Sequence, residues 1–185
     1  MTDEELRSAL REHAYLEGDF VLRSGRRSRY YLDKYRFETR PDLLEALAQR
    51  IAAEVAEAEP EADRLAGPEL GAVALAAAAS LASRLPFLIV RKAAKEYGTS
   101  KRVEGVYAEG DSVCLVEDVV TSGGALVESV AALRKEGLSV NTAVCVVDRE
   151  EGGAAALADA SVVLRPIFRA SEVLGTAKSA ANPHG

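Results

Sequence analysis

Cysteine and histidine are scarce in this sequence, and their scarcity limits the kinds of site that it can form. The two cysteines, Cys114 and Cys145, stand inside separate apolar runs and form no C-x-x-C pair. We therefore expect buried, reduced thiols rather than a disulfide or a zinc site. The two histidines, His13 and His184, are far apart in the chain, so neither a metal site nor a Ser-His-Asp triad is credible.

Long hydrophobic runs are also missing. None approaches the roughly 18 to 20 residues that a helix needs to cross a bilayer. The N-terminal stretch MTDEELRSAL is acidic and polar, unlike the basic and apolar start of a signal segment. We therefore expect a soluble, cytoplasmic protein with no membrane partner. Its 185 residues, 48% of them hydrophobic, predict one compact domain.

The N-terminal part of the chain mixes helical and extended patterns. Residues 3–14 have apolar side chains at helical spacing after a potential cap, Thr2. Two short extended pieces around RSGRRS predict a hairpin-like flap. A second helix should run from Pro41 to about Ala58. We expect residues of about 1–40 to form a small hood over the core.

In the rest of the chain, short apolar runs alternate with helical segments. The predicted strands are RLAG, PFLIV, SVCLVEDVV, LSVNTAVCVVD and SVVLRPIF. This alternation predicts an α/β fold with a mainly parallel sheet covered on both faces. Ligands of such sheets bind beyond the carboxyl ends of the strands. The loops in that position are 67–71, 92–104, 117–125 and 148–153. The core should extend over about 41–175 and form a single domain (1–175) with the hood, and 176–185 should be a flexible tail.

The segment VCLVEDVVTSGGA joins an apolar run to two acids and a turn of small residues. The turn lets backbone N–H groups and the hydroxyls of Thr121 and Ser122 converge on an anion at a helix N-terminus. It is not a P-loop, because G-x-x-x-x-G-K-[ST] is absent, as is G-x-G-x-x-G. Glu117 and Asp118 would repel each other unless hydroxyls, a cation or water held them. A ribose 5-phosphate satisfies both features, with its phosphate on the turn and its diol on the acids.

The charge distribution also favours an anionic ligand. The formal net charge of −6 argues against a nucleic-acid partner. Segments 23–40 and 91–102 nevertheless hold 12 of the 23 Lys and Arg residues. Each basic segment alone is compatible with a solvated loop. Two of them beside a candidate phosphate-binding turn favour a polyanion.

The order and spacing of VCLVEDVVTSGGA resemble the phosphoribosyl pyrophosphate (PRPP) signature of the type I phosphoribosyltransferases. The resemblance implies their fold, a mainly parallel sheet flanked by helices with an N-terminal hood. It implies that the two acids bind the ribose hydroxyls and that the turn binds the 5-phosphate. The residues expected to contact PRPP in this segment are Glu117, Asp118, Val119, Val120, Thr121, Ser122, Gly123, Gly124 and Ala125.

Three further stretches resemble the orotate phosphoribosyltransferases of that family. FVLRSGRRSRYYLD is similar to their N-terminal flap, VRKAAKEYGTSKRVEG to their mobile catalytic loop, and VVDREEGG to a segment after the following strand. The resemblance implies transfer of the phosphoribosyl group from PRPP to orotate in pyrimidine biosynthesis. It also implies Mg²⁺ carried mainly by PRPP, with no protein metal site. The expected assembly is a homodimer in which the mobile loop 92–104 contributes to the neighbouring site.

Cations of the mobile loop should meet the charge that builds up on the departing pyrophosphate. The resemblance gives this role to Arg91, Lys92 and Lys95, with Lys95 as the main catalytic residue, and adds Tyr97 as a contact to PRPP. The orotate-binding residues that it implies are Thr121, Arg149, Arg23, Tyr31 and Leu32. Tyr30 and Tyr31 alternate in an extended piece, so only one of them should reach the substrate. Without the resemblance, Arg149 and the two acids after it would be interpreted as a surface ion pair.

Three positions depart from the family pattern. Arg23 replaces the commoner Lys, which keeps the charge but changes the donor geometry. Tyr97 stands where several members have His, so an imidazole acid is excluded at this position. Glu69 stands where some relatives carry a Lys that approaches pyrophosphate, and that contact is open here.

Two alternative functions share the ribose-phosphate element. A purine phosphoribosyltransferase should lack the flap and the RKAAKEYG loop. A PRPP-sensing regulator should carry a nucleic-acid-binding surface or an extra domain, and this acidic sequence shows neither. The presence of Lys95 also favours catalysis over sensing.

Overall fold

The computed structural model describes residues 1–21, 27–93 and 101–174 of the chain. Strands and helices alternate over most of these ranges. In chain order the elements are α1 (Asp3–Ala14), β1 (Tyr15–Val21), β2 (Arg27–Leu32), α2 (Tyr35–Glu38), α3 (Pro41–Ala58), β3 (Arg64–Pro68), α4 (Gly71–Ser83), β4 (Phe87–Val90), β5 (Val103–Glu104), β6 (Val113–Val120), α5 (Gly124–Lys135), β7 (Thr142–Asp148), α6 (Gly153–Asp159), β8 (Val163–Arg169) and α7 (Ala170–Leu174).

A six-stranded sheet forms the centre of the molecule, with the strand order β5-β4-β3-β6-β7-β8. The neighbours from β4 to β8 pair in parallel, and the two-residue β5 pairs antiparallel with β4 at the edge. The predicted α/β fold with a mainly parallel sheet is therefore confirmed. Because β6 lies between β3 and β7, the loops that follow these strands meet at one edge of the sheet.

Helices bury both faces of this sheet. Side chains of β6 alternate between two apolar clusters: Cys114 and Val116 pack with α1, α3 and α4, whereas Leu115 packs with α5 and α6. All seven residues of β7 are buried, as expected for a covered parallel strand. Cys114 and Cys145 are both buried and free, as predicted. Burial raises the pKa of both thiols, so they are apolar core residues rather than reactive groups.

The hood consists of α1, the two-stranded sheet of β1 and β2, and α2. Thr2 caps α1 in a reciprocal arrangement with Glu5, which satisfies the first N–H groups of the helix. β1 follows α1 directly and pairs antiparallel with β2, which confirms the predicted hairpin. The tip of this hairpin, residues 22–26, lies outside the described residues.

The longer elements match the sequence predictions, and the shortest ones had not been predicted. α3 occupies Pro41–Ala58, with Pro41 in the first turn. By contrast α2, β5 and α7 have four, two and five residues, too few for a hydrophobic period to be recognised. Of the helices described, none is both long and apolar enough to span a membrane. The predicted tail, 176–185, falls outside the described ranges.

Candidate active site

The loops that follow β3, β4, β6 and β7 meet at the carboxyl edge of the sheet, where the sequence predicted a site. Direct hydrogen bonds join them in pairs. The N–H of Arg149 donates to the Val120 carbonyl at 2.9 Å, which links the loops after β7 and β6. The N–H of Lys92 donates to a Glu69 carboxylate oxygen at 2.6 Å, which links the loops after β4 and β3.

Asp118, near the end of β6, has only 2% of its surface exposed and is fixed at both carboxylate oxygens. Its Oδ1 accepts from the N–H of Val119 at 2.6 Å, and its Oδ2 accepts from the ammonium group of Lys34 at 2.6 Å. Lys34 comes from the hood, between β2 and α2, and supplies the cation that a buried acid pair was expected to need. Burial opposes the ammonium charge, but Asp118 and then Glu117 outweigh it and raise the pKa of Lys34.

Glu38, the last residue of α2, is a second buried acid of this cluster. Burial, and then the neighbouring Asp118 carboxylate, raise the pKa of Glu38 to about 8. Within the described ranges, its Oε1 has no hydrogen-bond partner when the group is treated as a carboxylate. A neutral Glu38 can donate its O–H to Asp118, and this removes both the repulsion and the unpaired oxygen.

Glu117 precedes Asp118 and is only partly buried. Its Oε1 accepts from the N–H of Asp118 at 3.0 Å. Burial, and then repulsion by the Asp118 carboxylate, raise the pKa of Glu117 to about 8. The raised pKa values of Glu38 and Glu117 lessen the negative charge that faces the Lys34 ammonium group.

The turn after β6 has the features of an anion site. Gly123 is buried with a φ of +79°, and a Cβ at this position would lie 3.0 Å from the carbonyl oxygen of Gly153, so the turn requires glycine here. The N-cap residue of α5 is Gly123, which has no side chain to cap the helix, so N–H groups of the first turn are available to a ligand. The exposed residues of the turn are Thr121, Ser122, Gly124 and Ala125.

Arg149 follows β7, and 7% of its side chain is exposed. Its Nη2 lies 3.0 Å from Glu151 Oε1, and its guanidinium carbon lies 4.9 Å from the centre of the Tyr30 ring. The Nε atom is buried without a hydrogen-bond partner among the described residues. The guanidinium group is thus a buried donor beside an aromatic ring, which differs from the alternative of a surface ion pair.

The structure places Tyr30 and Tyr31 on opposite sides of β2, as the alternation predicted. Tyr30 is half-buried between the Arg149 guanidinium and the ring of Tyr15, whose centre is 5.9 Å away. Tyr31, the residue expected to contact orotate, is 41% exposed and lies beside Phe20. The alternation indicated that only one of the pair would reach the site, and the choice of Tyr31 came from the family resemblance. Leu32, also expected at the orotate site, is buried in the core.

The cations after β4 stand at the start of the predicted mobile loop. Arg91 is half-buried, with its Nη1 3.7 Å from Glu104 Oε1, and Lys92 is exposed. Glu69 lies in the turn after β3 and holds the Lys92 N–H, so the position that is Lys in some relatives is here an acceptor for the backbone of the loop. The other predicted residues of this group, Lys95 and Tyr97, and the flap residue Arg23 lie outside the described residues.

Comparison with known proteins identifies close sequence relatives. The family model for the phosphoribosyl transferase domain matches residues 39–177. The orotate phosphoribosyltransferase of Methanocella arvoryzae is 47% identical over 174 residues, which cover 94% of this chain and 98% of the relative. The corresponding protein of Halobacterium salinarum is 46% identical, with coverage of 92% and 96%.

Solved structures of orotate phosphoribosyltransferases are also similar to this chain. The crystal structure of orotate phosphoribosyltransferase from Aeropyrum pernix superposes with a TM-score of 0.79 at 34% identity, and the match covers 94% of this chain and 96% of that chain. The Mycobacterium tuberculosis H37Rv orotate phosphoribosyltransferase in complex with PRPP superposes with a TM-score of 0.78 at 25% identity, with coverage of 94% and 99%.

Proposed function

Since this chain belongs to the orotate phosphoribosyltransferases of the phosphoribosyltransferase family, we propose that it transfers the phosphoribosyl group of PRPP to orotate. The products are orotidine 5′-monophosphate and pyrophosphate, and the reaction belongs to pyrimidine (UMP) biosynthesis. The observation that carries the proposal is the end of β6, where the buried Asp118 and the partly buried Glu117 precede a helix whose N-cap residue, Gly123, has no side chain. A ribose with a terminal phosphate matches both groups.

The ribose 5-phosphate part of PRPP is assigned to residues 117–125. Asp118 and Glu117 receive the ribose hydroxyls, and the turn from Thr121 to Ala125 receives the 5-phosphate through N–H groups and the Thr121 and Ser122 hydroxyls. A carboxylate oxygen has two lone pairs, so Asp118 can keep its present partners and still accept from a hydroxyl.

The departing pyrophosphate is assigned to the cations after β4. In the reaction a ring N–H of orotate gives up its proton to water or to the departing pyrophosphate, and the nitrogen bonds to the anomeric carbon of PRPP. Pyrophosphate leaves with the electrons of the broken C–O bond. Arg91 and Lys92 follow β4 at the carboxyl edge of the sheet, and we propose that they and Lys95 contact pyrophosphate when the loop closes over the substrates. Their charges stabilise the negative charge that grows on the leaving group.

Magnesium is proposed to enter with PRPP. In the part of the chain that the structure describes, no group of three or more His, Cys, Asp or Glu side chains could hold a metal ion. Mg²⁺ commonly keeps several waters and binds to substrate phosphates, so PRPP itself supplies suitable oxygens. When bound there, the ion would neutralise part of the pyrophosphate charge.

Orotate is assigned to the space beside Arg149. The guanidinium group of Arg149 is buried, and its Nε has no hydrogen bond to any described residue. It can therefore donate to the carboxylate and the imide edge of orotate. Thr121, Tyr31 and Arg23 remain assigned to this substrate as well. Leu32 also remains assigned, through its backbone, because its side chain is buried in the core. Tyr30 joins them because its ring centre lies 4.9 Å from the Arg149 guanidinium carbon.

The proposed working form is a cytoplasmic homodimer in which the loop 92–104 of one subunit contributes to the site of the other. Mixing a Lys95→Ala protein with an Asp118→Ala protein tests this arrangement, because a mixed dimer would contain one site with both residues intact. Recovery of activity in the mixture supports the exchange. No recovery would indicate that each site is built within one chain.

The substrate is tested by measuring loss of orotate absorbance with PRPP and Mg²⁺, beside parallel assays with uracil, adenine, hypoxanthine and xanthine. Turnover of orotate alone is expected. Conversion of a purine but not of orotate would reject the proposed specificity.

A further inference from the structure

A lysine of the hood reaches into the ribose site. Lys34 lies outside the predicted PRPP and orotate segments, yet its Nζ is 2.6 Å from Asp118 Oδ2, 84 residues away in sequence. Its own side chain is 31% exposed, whereas that of Asp118 is 2% exposed. The carboxylate of this ion pair is therefore buried in the core, and the ammonium group comes from the hood.

The start of α4 is shaped around this pair. A Cβ at Gly71 would lie 2.8 Å from Lys34 Nζ and 3.0 Å from Glu38 Oε1, and it would collide with Asp118 Oδ2. These three polar atoms therefore surround one point. Because each lies within 3.0 Å of it, no two of them are more than about 6 Å apart. Gly71 leaves the space that lets a cation and two acids meet beneath the β6 acids.

A buried carboxylate without a counter-charge is unstable and takes up a proton or moves toward water. Asp118 faces two acids that cannot serve as its counter-charge, Glu38 on α2 and Glu117 on β6, and Asp33 lies nearby on the loop before Lys34. Lys34 is the basic group that faces Asp118 within the described structure. It also fixes Oδ2 while the Val119 N–H fixes Oδ1, so the plane of the carboxylate is set from both sides.

We propose that Lys34 is a positioning residue for PRPP binding, which orients the Asp118 carboxylate toward the ribose hydroxyls and couples the hood to the ribose site. The inference rests on the proposed function, because Asp118 is assigned to the ribose there. Lys34 acts through Asp118 and does not contact the reacting atoms. Replacement of Lys34 should therefore weaken PRPP binding more than it slows turnover of the enzyme–substrate complex.

The test compares Lys34→Met, Lys34→Arg and the wild-type protein by calorimetric PRPP binding and by steady-state kinetics. In Lys34→Met the Asp118 carboxylate loses the partner of its Oδ2 and should turn away from the ribose hydroxyls. The dissociation constant and the KM for PRPP should then rise by about tenfold or more, whereas kcat should change by less than about twofold. Lys34→Arg, which keeps a cationic donor, should remain near wild type. Lys135→Met, an exposed lysine at the end of α5, is the matched control and should bind as wild type does.

Several outcomes would overturn the inference. PRPP binding by Lys34→Met that equals wild type would remove the role, and tighter binding would show that Lys34 competes with the ribose. Equal losses of PRPP affinity and of kcat in both Lys34→Met and Lys34→Arg would indicate a role in folding alone.

A measurement without ligand separates this inference from the proposed function. A crystal structure of unliganded Lys34→Met, compared with unliganded wild type, shows the orientation of the Asp118 carboxylate. A carboxylate turned away from its wild-type orientation supports the inference even if PRPP fails to bind to wild type. An unchanged orientation would refute it even if PRPP binds.

Discussion

Replacement of Asp118 by asparagine changes the ribose site with little change of shape. The side chain keeps its size but loses its charge, so Lys34 loses its partner at 2.6 Å and the ribose hydroxyls lose a charged acceptor. A hydrogen bond to a charged group contributes about 1.5–3 kcal/mol. The loss of one such bond corresponds to an increase of roughly tenfold to 150-fold in the dissociation constant for PRPP. Orotate binding should change much less, because Arg149 and Tyr30 are untouched.

The same substitution should also affect folding. Removing one partner of a buried ion pair can cost about 3–5 kcal/mol. Lys34 keeps 31% of its side chain exposed and can turn toward water, so we expect the free energy of unfolding to fall by less than about 3 kcal/mol. The pKa of Glu38 should decrease from about 8, because the Asp118 carboxylate that raises it has gone.

Calorimetric titration with PRPP and urea unfolding measure these two effects separately. Asp159→Asn, on the exposed end of α6, is the matched control and should change neither quantity. A dissociation constant for PRPP in Asp118→Asn within twofold of wild type would refute the assignment of this residue to the ribose.

Four further predictions follow from the structure. In wild type, folding raises the pKa of Glu38 from its ordinary value of 4.5 to about 8, so the protonated side chain stabilises the folded state. This contribution is complete below about pH 4.5 and declines as pH rises to about 8. Urea unfolding at several pH values should show this decline, at most about 1.4 kcal/mol per pH unit from this group, and Glu38→Gln should remove it. Gly123→Ala should lower the free energy of unfolding by about 1–2 kcal/mol, because φ is +79°, and should also weaken PRPP binding in calorimetry. Lys95→Ala should bind PRPP but turn over at least about a hundredfold more slowly in the orotate assay. Tyr30→Leu should raise the KM for orotate by roughly twofold to thirtyfold, since the ring no longer holds Arg149.

Matched variants and contrary results test these predictions. Gly110 also has a positive φ, at +88°, but a Cβ there would meet nothing within 4 Å, so Gly110→Ala should lose stability without losing PRPP binding. Equal binding by Gly123→Ala and Gly110→Ala would argue against the phosphate turn. Parallel pH profiles for wild type and Glu38→Gln would contradict the raised pKa of Glu38. Near-normal turnover by Lys95→Ala would remove its catalytic role. For orotate, Tyr30→Phe should restore the KM, and a larger effect of Tyr31→Leu than of Tyr30→Leu would favour the other tyrosine.

The sequence predicted the fold well because its long elements carry strong local signals. Apolar runs such as VCLVEDVV and LSVNTAVCVVD are long enough to mark buried parallel strands, and Pro41 marks the start of a helix. The acids and the small-residue turn were recognisable because they are contiguous on one strand and loop. α2 and β5 were missed because elements this short are fixed by tertiary contacts rather than by their own pattern.

The parts of the site that were not predicted depend on contacts between distant segments. Lys34 and Glu38 meet Asp118 only after the hood folds onto the core, and nothing near them in sequence indicates that meeting. The position of Glu69 beside the Lys92 N–H likewise depends on the pairing of β3 with β4. The alternation along β2 could divide Tyr30 from Tyr31 but could not orient the strand relative to Arg149.

A crystal structure with PRPP and Mg²⁺ bound tests the central claim most directly, because it locates the sugar and its phosphate relative to β6. We predict that the ribose hydroxyls bind to Glu117 and Asp118 and that the 5-phosphate accepts from N–H groups of the turn from Thr121 to Ala125. A ribose bound elsewhere, or a 5-phosphate held away from that turn, would contradict the account.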